Sequence, residues 1–200
     1  MRPKPRKKHK RSAGSPRLAA LPMEKMKKSW AHALARIPGA GLKGKLFPKN
    51  VLGTLMHNGE IFGPFLDYWV GCKLHMGLTV REQELIILRM AVLYRCEYVW
   101  KHHVPVAREF GVQPAELAAV RSGKFGRVFP PKERGLLLLT DELVEHRTIR
   151  AGVWRRWQDA LTPAQWIALV SLVSQYVLFA LTNNAFAVRI ERPLRKIPGL

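Results

Sequence analysis

Between Thr162 and Val188 the chain carries no charged residue. A run of that length either crosses a bilayer or forms the central helix of a helical domain. Gln165, Ser171, Ser174, Gln175, Asn183 and Asn184 interrupt it, and these amides and hydroxyls suit hydrocarbon poorly. The expectation is therefore a long C-terminal helix, buried within the domain and between subunits, with no membrane contact. Thr162 and Pro163 mark its start, an N-cap followed by proline at the first helical position. No stretch keeps the period-two alternation of a strand for any length, so the expected fold class is all-α.

Charge divides the chain. The formal net charge is +20, and residues 1–50 hold fifteen Lys and Arg against the single acid Glu24. Residues 1–17 contain eight Lys and Arg, no acid and three prolines. Such a segment repels itself and has nothing to bury. Residues 1–22 read as a disordered basic arm, followed by a basic linker over 23–49. Residues 1–17 could contact nucleic acid weakly and without sequence preference, or serve as a solvated tail; Met23 is an alternative start. No apolar segment follows the basic start, so no secretory signal is expected. Cys72 and Cys96 are too few for a disulfide scaffold, which points to a reduced, cytoplasmic protein.

Within the linker, Met26, Trp30, Leu34 and Ile37 form the stripe of a short helix over 23–38, which Gly39, Gly41 and Gly44 end. Asn50 is positioned to cap a segment running to about His57, and Asn58-Gly59 reads as a turn. An apolar helix follows from Ile61 to Met76, with Cys72 as a small buried hydrophobe. After Gly77, Thr79 and Glu82 form a capping-box pattern that opens a helix through Glu84 to about Tyr94. A second helix should hold Cys96 to Phe110, ending at Gly111. Shorter helices are expected over Pro114–Arg121, Pro131–Glu145 and Ile149–Ala160.

The chemistry-bearing residues lie in ELIILRMAVLYRCEYVWKHH, residues 84–103. In one straight helix Glu84 and Cys96 would stand about 18 Å apart. If the chain reverses near Tyr94-Arg95, an antiparallel hairpin brings Glu84 and His103 together, although no Gly or Pro forces the reversal. Cys96 would then open a helix, where unpaired N–H groups favour a thiolate. Cys96 and His103 are two turns apart, about 10 Å, too far for direct proton transfer. The spacing favours a Glu–His pair over a Cys–His pair. His102 and His103 point about 100° apart, so they are poorly placed to share a metal ion.

The strings REQELIILRMA, CEYVWKHHVPVAREFGV, ERGLLLLTDELV and QYVLFALTNNAFAVRIE resemble the carboxymuconolactone decarboxylase superfamily, which includes the alkyl hydroperoxidase D (AhpD)-like proteins. The second string is similar to a single-cysteine branch carrying a CEYxWxHH-like sequence. The resemblance covers about residues 50–192 and leaves 193–200 as a tail. It implies an all-α AhpD-like domain with a central helical hairpin, a trimer or hexamer of identical chains, and neither metal nor organic cofactor. Mapped residue by residue, Glu84, Cys96 and His103 match the family's Glu, first Cys and His. Val99 stands where thiol-active members carry a second, attacking cysteine.

Three functions stay open. In the first, Glu84 and His103 perform acid–base chemistry on a small lactone or carboxylate, with Tyr98 and Trp100 lining an apolar pocket. In the second, Cys96 acts as a thiol antioxidant, which requires exposure and a depressed pKa. In the third, the domain is a non-catalytic oligomer whose basic arm meets anionic partners.

Overall fold

A computed structural model describes residues 15–36 and 47–200. Among them the helices run in the order α1 (Lys28–Ala35), α2 (Lys49–Leu55), α3 (Gly59–His75), α4 (Val80–Leu93), α5 (Glu97–Glu109), α6 (Pro114–Ser122), α7 (Pro131–His146), α8 (Ala151–Trp157) and α9 (Pro163–Phe186). Short 3₁₀ turns cover Met23–Lys25 and Arg192–Lys196. No strand occurs among the described residues, in keeping with the all-α expectation.

Helix α4 is the axis of the domain. Every residue from Glu82 to Ala91 is buried, because α5, α6, α7 and α9 surround it. Leu85, Ile86, Ile87 and Leu88 are wholly buried, each contributing about 1.5–3 kcal/mol relative to exposure. The capping box forms as its sequence predicts. Glu82 N–H donates to Thr79 Oγ1 (3.2 Å), and Thr79 N–H donates to Glu82 Oε2 (2.8 Å). The polar residues of α4 are matched too. Arg89 donates to both carboxylate oxygens of Asp141 and to the Val120 carbonyl, while Arg81 reaches Glu116 and Glu133. These pairs fasten α4 to α6 and α7.

The reversal between α4 and α5 needs no glycine. Arg95 adopts a left-handed conformation, φ 48°. Cys96 N–H reaches back to the Ala91 carbonyl (2.8 Å) and Arg95 N–H to Val92 (3.0 Å). This is a Schellman ending with arginine in the place glycine usually takes, and it turns α5 antiparallel to α4.

Four sequence expectations need correction. Asn50 does not cap α2; Pro48 holds that position. Instead, Asn50 N–H donates to Glu191 Oε1 and its amide to the Arg189 carbonyl. The arm does not extend loosely to residue 22. Arg17 N–H donates to the Phe186 carbonyl and Leu21 N–H to Gly53, where a Cβ would lie 2.3 Å from the Leu21 oxygen. Residues 193–200 pack on α5: Leu194 is buried, and the Arg195 and Pro198 carbonyls accept from Lys101 and Trp100. The helix expected over 23–38 is the 3₁₀ turn plus α1, with Leu34 buried and Trp30 set edge-on to Phe62. The expectations for residues 1–14, for Ile37 and for Gly39, Gly41 and Gly44 lie outside the described residues.

Helix α9 is long and apolar enough to cross a membrane by length and composition, with half of its most apolar window buried. It packs on α2, α3, α4, α5 and α7. Its other face leaves Ile167, Val170, Leu178 and Leu181 exposed.

The left-handed turn gives a direct stability test. Arg95→Val should destabilise the fold by about 1–2 kcal/mol, because a β-branched residue fits φ near +50° poorly. Arg95→Gly should leave stability unchanged or slightly raised. Urea denaturation of the two variants reads both effects.

Candidate functional site

The hairpin brings Glu84 of α4 and His103 of α5 into contact. Glu84 Oε2 lies 2.7 Å from His103 Nδ1. Glu84 is almost wholly buried, while the His103 side chain keeps 21% of its surface. A carboxylate accepts hydrogen bonds only, so in the neutral imidazole the proton belongs on Nδ1. That leaves the Nε2 lone pair facing Tyr176 Oη of α9 at 3.1 Å. The result is a chain from Glu84 through His103 to Tyr176. Burial pushes the Tyr176 phenol well above its ordinary pKa, and the nearby Glu84 charge pushes it further the same way. Lys73 of α3 donates to Gln83 Oε1 (3.1 Å); burial lowers its amine pKa against the pull of Glu84.

A second Glu–His pair stands alongside. His102 Nε2 lies 2.7 Å from Glu191 Oε2. The Tyr98 hydroxyl donates to Glu191 Oε1 (2.9 Å) and accepts from Val51 N–H (3.3 Å), while its ring stacks on His102 at 4.4 Å. Burial raises the Glu191 pKa, but the His102 and Asn50 hydrogen bonds outweigh it and hold Glu191 low. The two histidines thus face separate carboxylates. Among the described residues no group of three or more His, Cys, Asp or Glu is placed to hold a metal ion.

Tyr98, Val99, His102, His103, Tyr176 and Phe179 share a narrow cleft of ≈ 40 Å³. Tyr98 therefore lines it. Trp100 does not: its indole donates to the Pro198 carbonyl (3.1 Å), and Arg121 stacks over its ring. It lies under the C-terminal segment because the helical turn carries residue 100 away from the face shared by 99, 102 and 103.

Cys96 also departs from its expectation. It is the N-cap of α5, as the helix boundary suggested, but it is fully buried and does not line the cleft. Burial pushes its thiol to about 11, despite opposing backbone hydrogen bonds from Val99 and Tyr98. Desolvation overrides the helix end that was expected to favour a thiolate. Sequence reading missed Tyr176 and Glu191. Tyr176 was signalled only by being a polar-tipped residue inside the uncharged run, and Glu191 by being the first acid after it.

Residues 60–142 match the model of the carboxymuconolactone decarboxylase family. No curated protein matches the chain. Among solved structures, the AhpD-core, uncharacterised peroxidase-related protein from Ralstonia eutropha JMP134 superposes with a TM-score of 0.72 at 17% identity, over 90% of this chain and 94% of that one. The debrominase Bmp8 gives 0.68 at 14% identity, over 89% and 94%. A putative antioxidant defence protein AhpD of unknown function from Agrobacterium tumefaciens gives 0.61 at 15% identity, over 67% and 92%. At these identities the likeness speaks for the fold alone.

The raised phenol pKa values give a pH prediction. Tyr98 is also pushed well above its ordinary value, by burial first and then by the Glu191 charge. A raised phenol pKa keeps the neutral form through neutral and mildly alkaline pH. In an absorbance titration of the four tyrosines, Tyr98→Phe and Tyr176→Phe should each remove amplitude only from the step that coincides with alkaline unfolding. Loss from an earlier step would place that hydroxyl in water.

Proposed function

Because the chain carries a carboxymuconolactone decarboxylase-family segment in an AhpD-like fold, we propose that it is an enzyme of that superfamily. In this reading His103 moves a proton on a small lactone or carboxylate. The 2.7 Å contact between Glu84 Oε2 and His103 Nδ1, at the wall of the cleft, carries the reading. Glu84 fixes the tautomer and stabilises the imidazolium that forms. His103 Nε2 takes a proton from carbon next to the substrate carbonyl, and the C–H electron pair passes to the carbonyl oxygen. The Tyr176 hydroxyl, released from Nε2, donates to that oxygen. Return of the proton to another carbon gives isomerisation. In decarboxylation no carbon proton is taken: the bond to the carboxylate breaks, its electron pair passes through the ring double bond to the carbonyl oxygen, carbon dioxide leaves, and the protonated His103 returns a proton to a ring carbon as the carbonyl re-forms.

The thiol reading has less support. It requires an exposed cysteine of low pKa, whereas Cys96 is fully buried with its thiol pushed to about 11. Two assays separate the readings: carbon dioxide release from carboxymuconolactone, and isomerisation of the uncharged α-angelica lactone. Whichever activity the protein shows should fall about 10²–10⁴-fold in His103→Ala and about 10²-fold in Tyr176→Phe, and should survive Cys96→Ser. Peroxide turnover with a thiol donor that disappears in Cys96→Ser would replace this reading with the second.

Assembly into a trimer or hexamer belongs to the same proposal. The exposed apolar face of α9, with Ile167, Val170, Leu178 and Leu181, supports a contact between copies. Light scattering after chromatography should give an oligomeric mass for the native chain and a lower one for Ile167→Lys/Leu181→Lys. A monomeric native chain would reject assembly.

A further inference from the structure

Two buried polar atoms in residues that line the cleft have no protein partner: Trp69 Nε1 and Asn183 Oδ1. Trp69 keeps 8% of its surface and Asn183 3%. Unpaired buried polar atoms are rare and call for an explanation. Asn183 Nδ2 donates to the Phe179 carbonyl (2.8 Å), which leaves Oδ1 as the unused acceptor. The Trp69 ring stands edge-on to Phe179 at 5.2 Å. A donor from α3 and an acceptor from α9 therefore belong to residues of the same cleft wall.

Their position relative to the proton relay limits what they can hold. Asn183 lies two turns beyond Tyr176 on α9, about 10 Å along its axis. The ≈ 40 Å³ cleft is below the roughly 150 Å³ that accommodates benzene, so wall side chains must swing aside even for a small ring.

Charge narrows the class further. Among the described residues no Lys or Arg lines the cleft. Its two histidines are backed by the carboxylates of Glu84 and Glu191, and Lys73 lies outside the lining, where it donates to Gln83. A carboxylate in the cleft would meet buried negative charge without a dedicated counter-ion.

We infer that Trp69 and Asn183 form the recognition end of this cleft, and that the substrate read there is an uncharged single-ring carbonyl compound bearing a hydroxyl or N–H donor. The inference rests on the acid–base reading for the other end of the cleft, and selects the neutral lactone class over the free carboxylate. The ring oxygen accepts from Trp69 and a hydroxyl or N–H donates to Asn183, which leaves the carbonyl to Tyr176.

Binding without turnover tests it. Six tryptophans give indole N–H resonances, and Trp69→Phe identifies that of Trp69. The protein is titrated with 3-hydroxy-γ-butyrolactone, with γ-butyrolactone, and with 5-oxotetrahydrofuran-2-carboxylate. The hydroxylactone should shift the Trp69 resonance. Trp69→Phe and Asn183→Leu should each weaken its binding about tenfold, as should replacing it by γ-butyrolactone in the native chain. The carboxylate should bind at least about tenfold more weakly than the hydroxylactone. Binding is read without turnover, so an absence of lactone turnover would overturn the acid–base reading and leave this result standing. Equal binding of the carboxylate, no Trp69 shift with any compound, or variants that lower Tm without changing affinity would each overturn the inference.

Discussion

The site depends on a reversal of the backbone at one residue. Arg95 takes the left-handed conformation that closes α4, and the hydrogen bonds from Cys96 to Ala91 and from Arg95 to Val92 fix the turn. Because α5 then runs back along α4, Glu84 and His103 meet across the hairpin at 2.7 Å. Helix α9 packs over both and adds Tyr176 to the free side of the imidazole. Three helices thus contribute one side chain each, and the rigidity of their packing sets the geometry. The four fully buried aliphatic residues from Leu85 to Leu88 hold α4 at the centre.

Charge is arranged differently on the two sides of α4. On the side of α6 and α7, Arg81 and Arg89 are met by Glu116, Glu133 and Asp141. On the side of α5 and the C-terminal segment, two glutamates each face a histidine. Desolvating a carboxylate is costly unless it is paired, and an imidazole that pairs through one nitrogen leaves the other to take or give a proton. The first arrangement fits a fixed clamp; the second is the one suited to proton transfer. Glu191 also ties Asn50, Tyr98 and His102 together, so the wall of the cleft and the C-terminal segment are held by one carboxylate.

Much of the fold could be read in advance because its signals are local. The Thr79–Glu82 box, Gly77, Gly111 and the Thr162-Pro163 start all act within one turn of where they stand. The Glu84–His103 meeting followed from helical rise once a reversal was assumed. Arg95 itself gave no signal, since nothing in an arginine announces a positive φ. Cys96 shows a different limit: sequence places it at a helix start, but the depth that raises its pKa comes from surrounding helices. Trp100 lies on the face that helical spacing turns away from 99, 102 and 103, and the C-terminal segment that covers it there gave no signal in the sequence. Tyr176 and Trp69 were lost in runs that read as apolar core, Asn183 counted only as a polar break in one of them, and only tertiary packing gathers the three around one cleft.

The central claim is that Glu84 and His103 act as one unit, and a double-mutant cycle on the reaction rate tests it most directly. With α-angelica lactone or carboxymuconolactone as substrate, Glu84→Gln and His103→Ala should each lower kcat/KM. The double variant should be no slower than His103→Ala alone, because Glu84 has no role once the imidazole is gone. Losses that multiply in the double variant would mean that the two residues act independently, and would contradict the account.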